Sequence, residues 1–170
     1  MLRLVFILSA LLAVLGLSVV AQTGRAQADM NQLMRGVLYP AANVVFFAQA
    51  DNPADVKPAP GQDPSMATDP LESTFGGWQA VENAALALAE SADLLLIPGR
   101  TCSNGAAAPL SDPDWAKFVQ ELRDAGMQAY KSAQSKDQDK MVEVAETLST
   151  ACANCHRKWR DRRTPAQRCK

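Results

Sequence analysis

The sequence is short of histidine, of aromatic residues and of net charge. It has one histidine in 170 residues, 6% aromatic side chains, and 17 lysine and arginine residues against 18 aspartate and glutamate residues. So balanced a charge argues against general binding of nucleic acid, which requires an excess of positive charge. No serine–histidine–aspartate set, acid–base pair or phosphate-binding loop stands out, so we expect a binding protein and not an enzyme.

A convincing β-strand pattern is also absent, and apolar residues recur instead at steps of three and four. This periodicity predicts helices over residues 30–50 and 78–97, from Asp112 to a break at 135–137, and from there to about Arg163. Pro40 falls inside the first helix and should kink it or remove one hydrogen bond. Four amphipathic helices joined by turn-rich segments imply an all-α fold, an antiparallel up-down-up-down four-helix bundle.

The first 28 residues have the composition of a secretory signal peptide. Arg3 precedes an apolar run over residues 4–20, and Ala26-Gln27-Ala28 then supplies an A-x-A cleavage pattern. The alternatives are a retained membrane anchor and a cleavage nearer Ala21. We expect cleavage, export to a periplasm, and a domain over residues 29–170 that keeps no stable membrane span.

The strongest motif is Cys152-x-x-Cys155-His156, near the end of the fourth predicted helix. C-x-x-C-H is the attachment signature of c-type haem. Positions i, i+3 and i+4 share one helix face, so both thiols can bond the haem vinyl groups while the imidazole of His156 binds the iron. The motif predicts one covalent haem c, with its iron, as the cofactor.

Besides a chance occurrence of the motif in a cysteine-poor exported protein, two other interpretations of C-x-x-C compete with haem. A redox-active disulfide of the thioredoxin type favours a strand-to-helix setting, which this sequence does not indicate. A closed zinc site needs four ligands, commonly in two separated pairs, and the only histidine of this chain adjoins Cys155.

The motif and its surroundings resemble the cytochrome c′ family. Members of that family have a signal peptide, four antiparallel helices and C-x-x-C-H near the end of the last helix, usually followed by an aromatic residue and then arginine. Here Cys155-His156-Arg157-Lys158-Trp159-Arg160 fits, with tryptophan in place of the commoner tyrosine or phenylalanine. The resemblance covers residues 29–163. The loop at 51–77 and the loop around Cys102 depart from the family pattern.

The resemblance implies two functional styles, which differ at the sixth position of the iron. Low-spin members use a methionine of the first helix there and transfer electrons, whereas high-spin members leave it open and bind NO or CO. In the predicted bundle Met34 stands at about the height of His156, and it precedes Pro40 by six residues. We expect Met34 to be the sixth ligand, although Met30 is a weaker candidate and ordinary core packing is an alternative role for Met34.

The expected function is therefore one-electron transfer between redox partner proteins. The alternatives are a five-coordinate gas-binding cytochrome c′ and a haem subunit of a periplasmic oxidoreductase complex. Dimers occur in the family, so a homodimer is possible. Basic residues crowd the end of the chain, and among them Arg160 is the first candidate to bind a haem propionate; Arg35, beside Met34, is the second. An acidic redox partner could also dock on these charges, or they could be solvated.

Cys102 and Cys169 remain after the motif is assigned. The loop after the second helix and the tail after the fourth lie at the same end of the predicted bundle, so we expect a Cys102–Cys169 disulfide. In an oxidising compartment this bond is favoured over two free thiols.

Overall fold

The computed structural model describes residues 25–161 and 164–169. Most of the predicted signal peptide, residues 1–24, lies outside the described residues. The described chain is helical, as the periodicity predicted, and its only bridge between extended residues is an isolated antiparallel one from Thr101 to Ala107. Within the described ranges no helix combines the length and the apolar character that crossing a membrane requires.

The first helix, α1, is continuous from 30 to 50 but changes its winding. It comprises an α-helical turn at Met30–Leu33, a π-helical segment at Met34–Leu38 and an α-helix at Tyr39–Ala50. The π segment ends just before Pro40, whose missing N–H and bulky ring disturb regular α-helical bonding four residues back. The sequence predicted a disturbance at Pro40, and a π segment is the form that it takes.

The other helices begin and end close to their predicted positions. Helix α2 is Trp78–Ser91, extended by a 3-10 segment at Ala92–Leu96; helix α3 is Pro113–Ser135; helix α4 is Gln138–Cys155, extended by a π-helical segment at His156–Arg160. Asp112 caps α3 with proline at its first position, and left-handed Lys136 ends it.

Helix α4 ends at Arg160, short of the predicted end at about Arg163. Asp161 leaves the helical conformation, and its backbone N–H donates to the carbonyl of His156 at 2.8 Å, which closes the π turn. The prediction used Pro165 as the stop signal, whereas the helix ends before that proline is reached.

Helix α1 packs against α2 and α4, and α3 packs against α2 and α4. The centre of the core is dry: Val45, Val81, Leu88, Met141 and Leu148 are each at most 1% exposed. Helices α2 and α3 approach each other closely at Gly126, where an added Cβ would lie 2.8 Å from the backbone nitrogen of Ala89.

Three contacts fix which helix ends are neighbours. The side chain of Gln138, at the start of α4, donates to the carbonyl of Gln49 near the end of α1. The backbone N–H of Met30, at the start of α1, donates to the carbonyl of Thr101 in the loop after α2, at 2.8 Å. The ammonium group of Lys158, near the end of α4, lies 2.7 Å from the carboxylate of Asp112, at the start of α3.

Candidate cofactor site

The three residues of the motif lie where α4 changes from α- to π-helical winding. Cys152 and Cys155 occupy the last α-helical turn, and His156 opens the π segment. Both cysteines are free and half-buried, and both pack against the hydrophobic core. Two thiols and one imidazole therefore project from consecutive turns at the edge of the apolar interior.

Polar contacts fasten this end of α4 to α3. Within the motif, the side-chain amide of Asn154 donates to Glu121 of α3 at 2.8 Å. Two residues after the motif, the ammonium group of Lys158 lies 2.7 Å from Asp112 and 2.8 Å from Asp114, at the start of α3. These contacts fix the helix on both sides of His156.

An aromatic cluster adds an apolar attachment between the same helices. Trp159 is 4% exposed, and its ring packs edge-to-face against Trp115 and Phe118 of α3, with centroid separations of 4.9 and 5.6 Å. The indole N–H of Trp115 donates in turn to the carbonyl of Leu95 at 3.1 Å. The cluster thus links α4, α3 and the end of α2. It meets α4 at Trp159, three residues after His156.

Burial keeps all three motif groups neutral. It raises the pKa of the Cys155 thiol to about 12, with a further contribution from Cys152, and it also raises the pKa of Cys152. Burial lowers the pKa of His156, and the charge of Arg160 lowers it further, while Asp161 opposes the shift. A neutral imidazole has a nitrogen available for a metal, whereas protonated thiols are poor metal ligands.

The two arginines predicted near the cofactor differ in their placement. Arg160 is exposed, but its charge acts on Cys152, Cys155 and His156, and its Nε donates to Asp161 at 2.7 Å. Arg35 is exposed and forms no hydrogen bond or ion pair with any residue that the structure describes. The structure therefore brings Arg160, but not Arg35, into electrostatic contact with the motif.

Met34 opens the π segment of α1, just as His156 opens that of α4. Its side chain is half-buried and packs against the core, as does that of Met30. The start of α1 is bonded to the loop after α2 through Met30 and Thr101. The same loop is joined to the C-terminal tail by the disulfide of Cys102, and the tail contacts the end of α4 at Trp159. Met34 and His156 therefore lie at the same end of the molecule.

The loop holds the tail through a disulfide. Cys102 pairs with Cys169, with the Cα atoms 6.5 Å apart, as the sequence predicted. The backbone N–H of Cys169 donates to the carbonyl of Trp159 at 3.0 Å, which places the tail against the π segment of α4. Nothing in the sequence indicated the role of Asn104, whose side-chain amide lies within 3.2 Å of the carbonyls of Pro165, Ala166 and Arg168. An asparagine in a glycine-containing loop carries no signal of so distant a partner.

The chain matches no family model, no curated protein and no solved structure. In the part of the chain that the structure covers, no three histidine, cysteine, aspartate or glutamate side chains gather to form a site for a bare metal ion, and the motif residues are no exception. The site must therefore be interpreted from its own chemistry.

Proposed function

We propose that this chain is an exported monohaem c-type cytochrome that carries single electrons. The observation that supports the proposal most is the pair of free, half-buried thiols of Cys152 and Cys155, one helical turn apart and followed directly by the imidazole of His156. The family that this arrangement resembles is cytochrome c′.

The chemistry of the donor set fits haem c. Cys152 and Cys155 would hold the ring by its vinyl groups through two thioether bonds, and His156 would bind the iron. Only one of the three side chains, the imidazole of His156, then needs to reach the metal. Addition of a neutral thiol to a vinyl group forms the thioether bond without placing a charged thiolate in the apolar interior. When bound, the iron supplies one-electron exchange.

The contacts between helix ends support an antiparallel, up-down-up-down order. The end of α4 meets the start of α3 through Lys158, and the start of α4 meets the end of α1 through Gln138. The start of α1 meets the loop after α2 through Met30. Each pair joins the beginning of one helix to the end of a neighbour, as short connections between adjacent helices favour.

The end of the bundle that carries the motif could shelter a porphyrin ring. Side chains that are only partly covered gather against the core at this end, among them Met30, Met34 and Phe118 besides the two motif cysteines. Apolar cover of this kind lowers the local dielectric and tunes a reduction potential. Fixation of α4 to α3 on both sides of His156 would hold the imidazole in one orientation during electron transfer.

Attachment of haem is tested by producing the chain together with haem-ligation machinery. We expect a red protein whose mass exceeds that of the polypeptide by one haem and which keeps the haem after acid–acetone extraction. The double variant Cys152→Ala/Cys155→Ala should lose covalent haem, whereas the matched double variant Cys102→Ser/Cys169→Ser should keep it. A colourless wild-type protein with the mass of the bare chain would refute the proposal.

The choice between electron carrier and gas binder depends on Met34. We propose that Met34 is the sixth ligand, because it is half-buried at the same end as His156 and opens the π segment of α1. Met34→Leu should then convert a low-spin ferric spectrum to a high-spin one and allow rapid CO binding to the reduced protein. Met66→Leu, at a methionine 75% exposed in a loop, is the control and should change neither. A wild-type protein that is already high-spin would favour the gas-binding alternative.

A further inference from the structure

The C-terminal tail holds one arginine in a fixed position near the π segment of α4 that begins with His156. The tail forms a 3-10 turn at Pro165–Gln167, closed by reciprocal bonds between Thr164 and Gln167. Asn104 binds three of its carbonyls, and the disulfide of Cys169 follows immediately. Arg168 stands between these two anchors, so its backbone is fixed on both sides.

One N–H group of the Arg168 side chain has no hydrogen-bond acceptor among the described residues. Its Nε atom is buried, and it is the single buried side-chain nitrogen or oxygen without a hydrogen-bond partner among the residues that the structure describes. A buried guanidinium N–H without an acceptor costs free energy, because its hydration is lost and not replaced. Such an N–H group can donate to a further partner, and a carboxylate matches a guanidinium best in charge and geometry.

The carboxylate of Asp161, on which the charge of Arg168 acts, is already engaged. Arg160 donates to Asp161 at 2.7 Å, and the pKa of Asp161 is lowered first by this hydrogen bond and only weakly by the charge of Arg168. Arg168 is thus close enough to act on the residue that ends the π segment, yet it forms no ion pair there. The position of Arg168 beside α4 is therefore not explained by pairing with Asp161.

We infer that Arg168, held in place by the tail, binds a propionate carboxylate of the porphyrin attached to Cys152 and Cys155. The inference rests on the proposed function and changes one of its details, since the sequence favoured Arg160 and Arg35 for this role. Guanidinium–carboxylate pairs are charge-assisted and well matched in geometry, so a propionate meets the requirement of the buried Nε. Asn104 and the Cys102–Cys169 disulfide are then positioning residues that act through Arg168.

A fixed positive charge in this position should raise the reduction potential. The oxidised iron carries one more positive charge than the reduced iron, so a nearby guanidinium disfavours oxidation. Because Arg168 is partly buried, salt should screen its effect much less than that of an exposed charge.

The test uses the haem-loaded, disulfide-intact protein and the variant Arg168→Gln. We expect a lower reduction potential that persists when salt is raised to half-molar, together with a shift of the propionate-bending bands in the resonance Raman spectrum. Arg157→Gln is the matched control: it removes an exposed arginine of the π segment of α4, whose partner is Asn154. Its potential should fall less and return toward wild type in high salt, with unchanged propionate bands.

Two further variants separate binding from a merely structural role. Arg168→Lys keeps the charge but not Nε, so it should restore most of the potential and leave the propionate bands shifted. Cys102→Ser/Cys169→Ser should reproduce the band shift of Arg168→Gln, because it releases the tail. Unchanged propionate bands and potential in a red, folded Arg168→Gln protein would overturn the inference and leave the proposed function intact. Absence of haem from the wild-type protein would refute the proposed function itself.

Discussion

The ring of Trp159 meets the ring of Trp115 edge-to-face, with 4.9 Å between the centroids. The two residues come from α4 and α3, and Trp159 stands three residues after His156. Aromatic pairs of this geometry contribute about 0.5–1.5 kcal/mol beyond the area that they bury. The pair therefore couples the stability of the bundle to the position of the candidate iron ligand.

Replacement of Trp159 by alanine should be among the most destabilising single changes. Trp159 is 4% exposed, and removal of so large a buried side chain costs about 3–5 kcal/mol. Trp159→Phe keeps an aromatic ring and should cost less. Urea unfolding followed by far-UV circular dichroism measures both. Phe75→Ala, at a phenylalanine 62% exposed, is the control, and an equal loss there would contradict the argument.

The ion pairs of Lys158 predict a dependence of stability on acid. The hydrogen bond from Lys158, followed by that from the backbone N–H of Asp114, lowers the pKa of Asp112. A carboxyl whose folded pKa is depressed stabilises the fold above its unfolded pKa of about 3.9 and loses that contribution as the pH falls through its lower folded pKa. Asp112→Asn should therefore be less stable than wild type at pH 6, and the difference should shrink progressively as the pH falls below about 3.9.

Asparagine keeps the helix cap at position 112, so this variant isolates the charge. Asp139→Asn is the control, because Asp139 also lies in the first turn of a helix but forms no ion pair with the described residues. Equal pH profiles for the two variants, measured by urea unfolding at each pH, would show that Lys158 contributes nothing specific.

Loss of the Cys102–Cys169 disulfide should lower the free energy of unfolding. The bond joins residues 67 positions apart, and a bond that closes a loop of this size stabilises a protein by about 2–4 kcal/mol. Cys102→Ser/Cys169→Ser should show this loss in urea. In the wild-type protein, alkylation under denaturing conditions before and after reduction should reveal two additional thiols after reduction; equal labelling would exclude the bond.

The close approach of α2 and α3 predicts opposite effects at two glycines. Gly126→Ala would place a Cβ 2.8 Å from the backbone nitrogen of Ala89, and overpacking of this kind costs about 1–3 kcal/mol. A Cβ at Gly36 would meet no atom within 4 Å. Gly36→Ala should therefore stabilise the helix by about 0.5–1 kcal/mol. Thermal melting of both variants checks the signs, and destabilisation by Gly36→Ala would contradict the second expectation.

The helices and the disulfide could be predicted because their signals are local or follow from chain order. The cap at Asp112 with Pro113 marked the start of α3, and the turn-rich segments placed Cys102 and Cys169 at one end. The π segment at 34–38 was foreshadowed by Pro40. That at 156–160 was not, because the segment contains no proline and its stop depends on a backbone bond from Asp161 to His156.

The supporting contacts of the site could not be predicted for a different reason. Lys158 with Asp112, and Asn104 with the tail, join residues 44 or more positions apart through single side chains. Pairing of this kind depends on the rotation of each helix about its own axis. The periodicity of apolar residues gives this rotation only approximately, because it defines a buried face and not the direction of single polar side chains. The buried Nε of Arg168 likewise became visible only once the tail was placed.

The Cys102–Cys169 bond turns part of the chain into a covalent ring. The ring includes α3 and α4, and with them Cys152, Cys155 and His156, whereas α1 and Met34 lie outside it. A protease cut at the exposed, left-handed Lys136 would leave the two pieces linked. Separation of α1 from the rest breaks no ring. The histidine side of the candidate site is therefore closed by covalent bonds, whereas the methionine side is held by non-covalent contacts, among them the hydrogen bond from Met30 to Thr101.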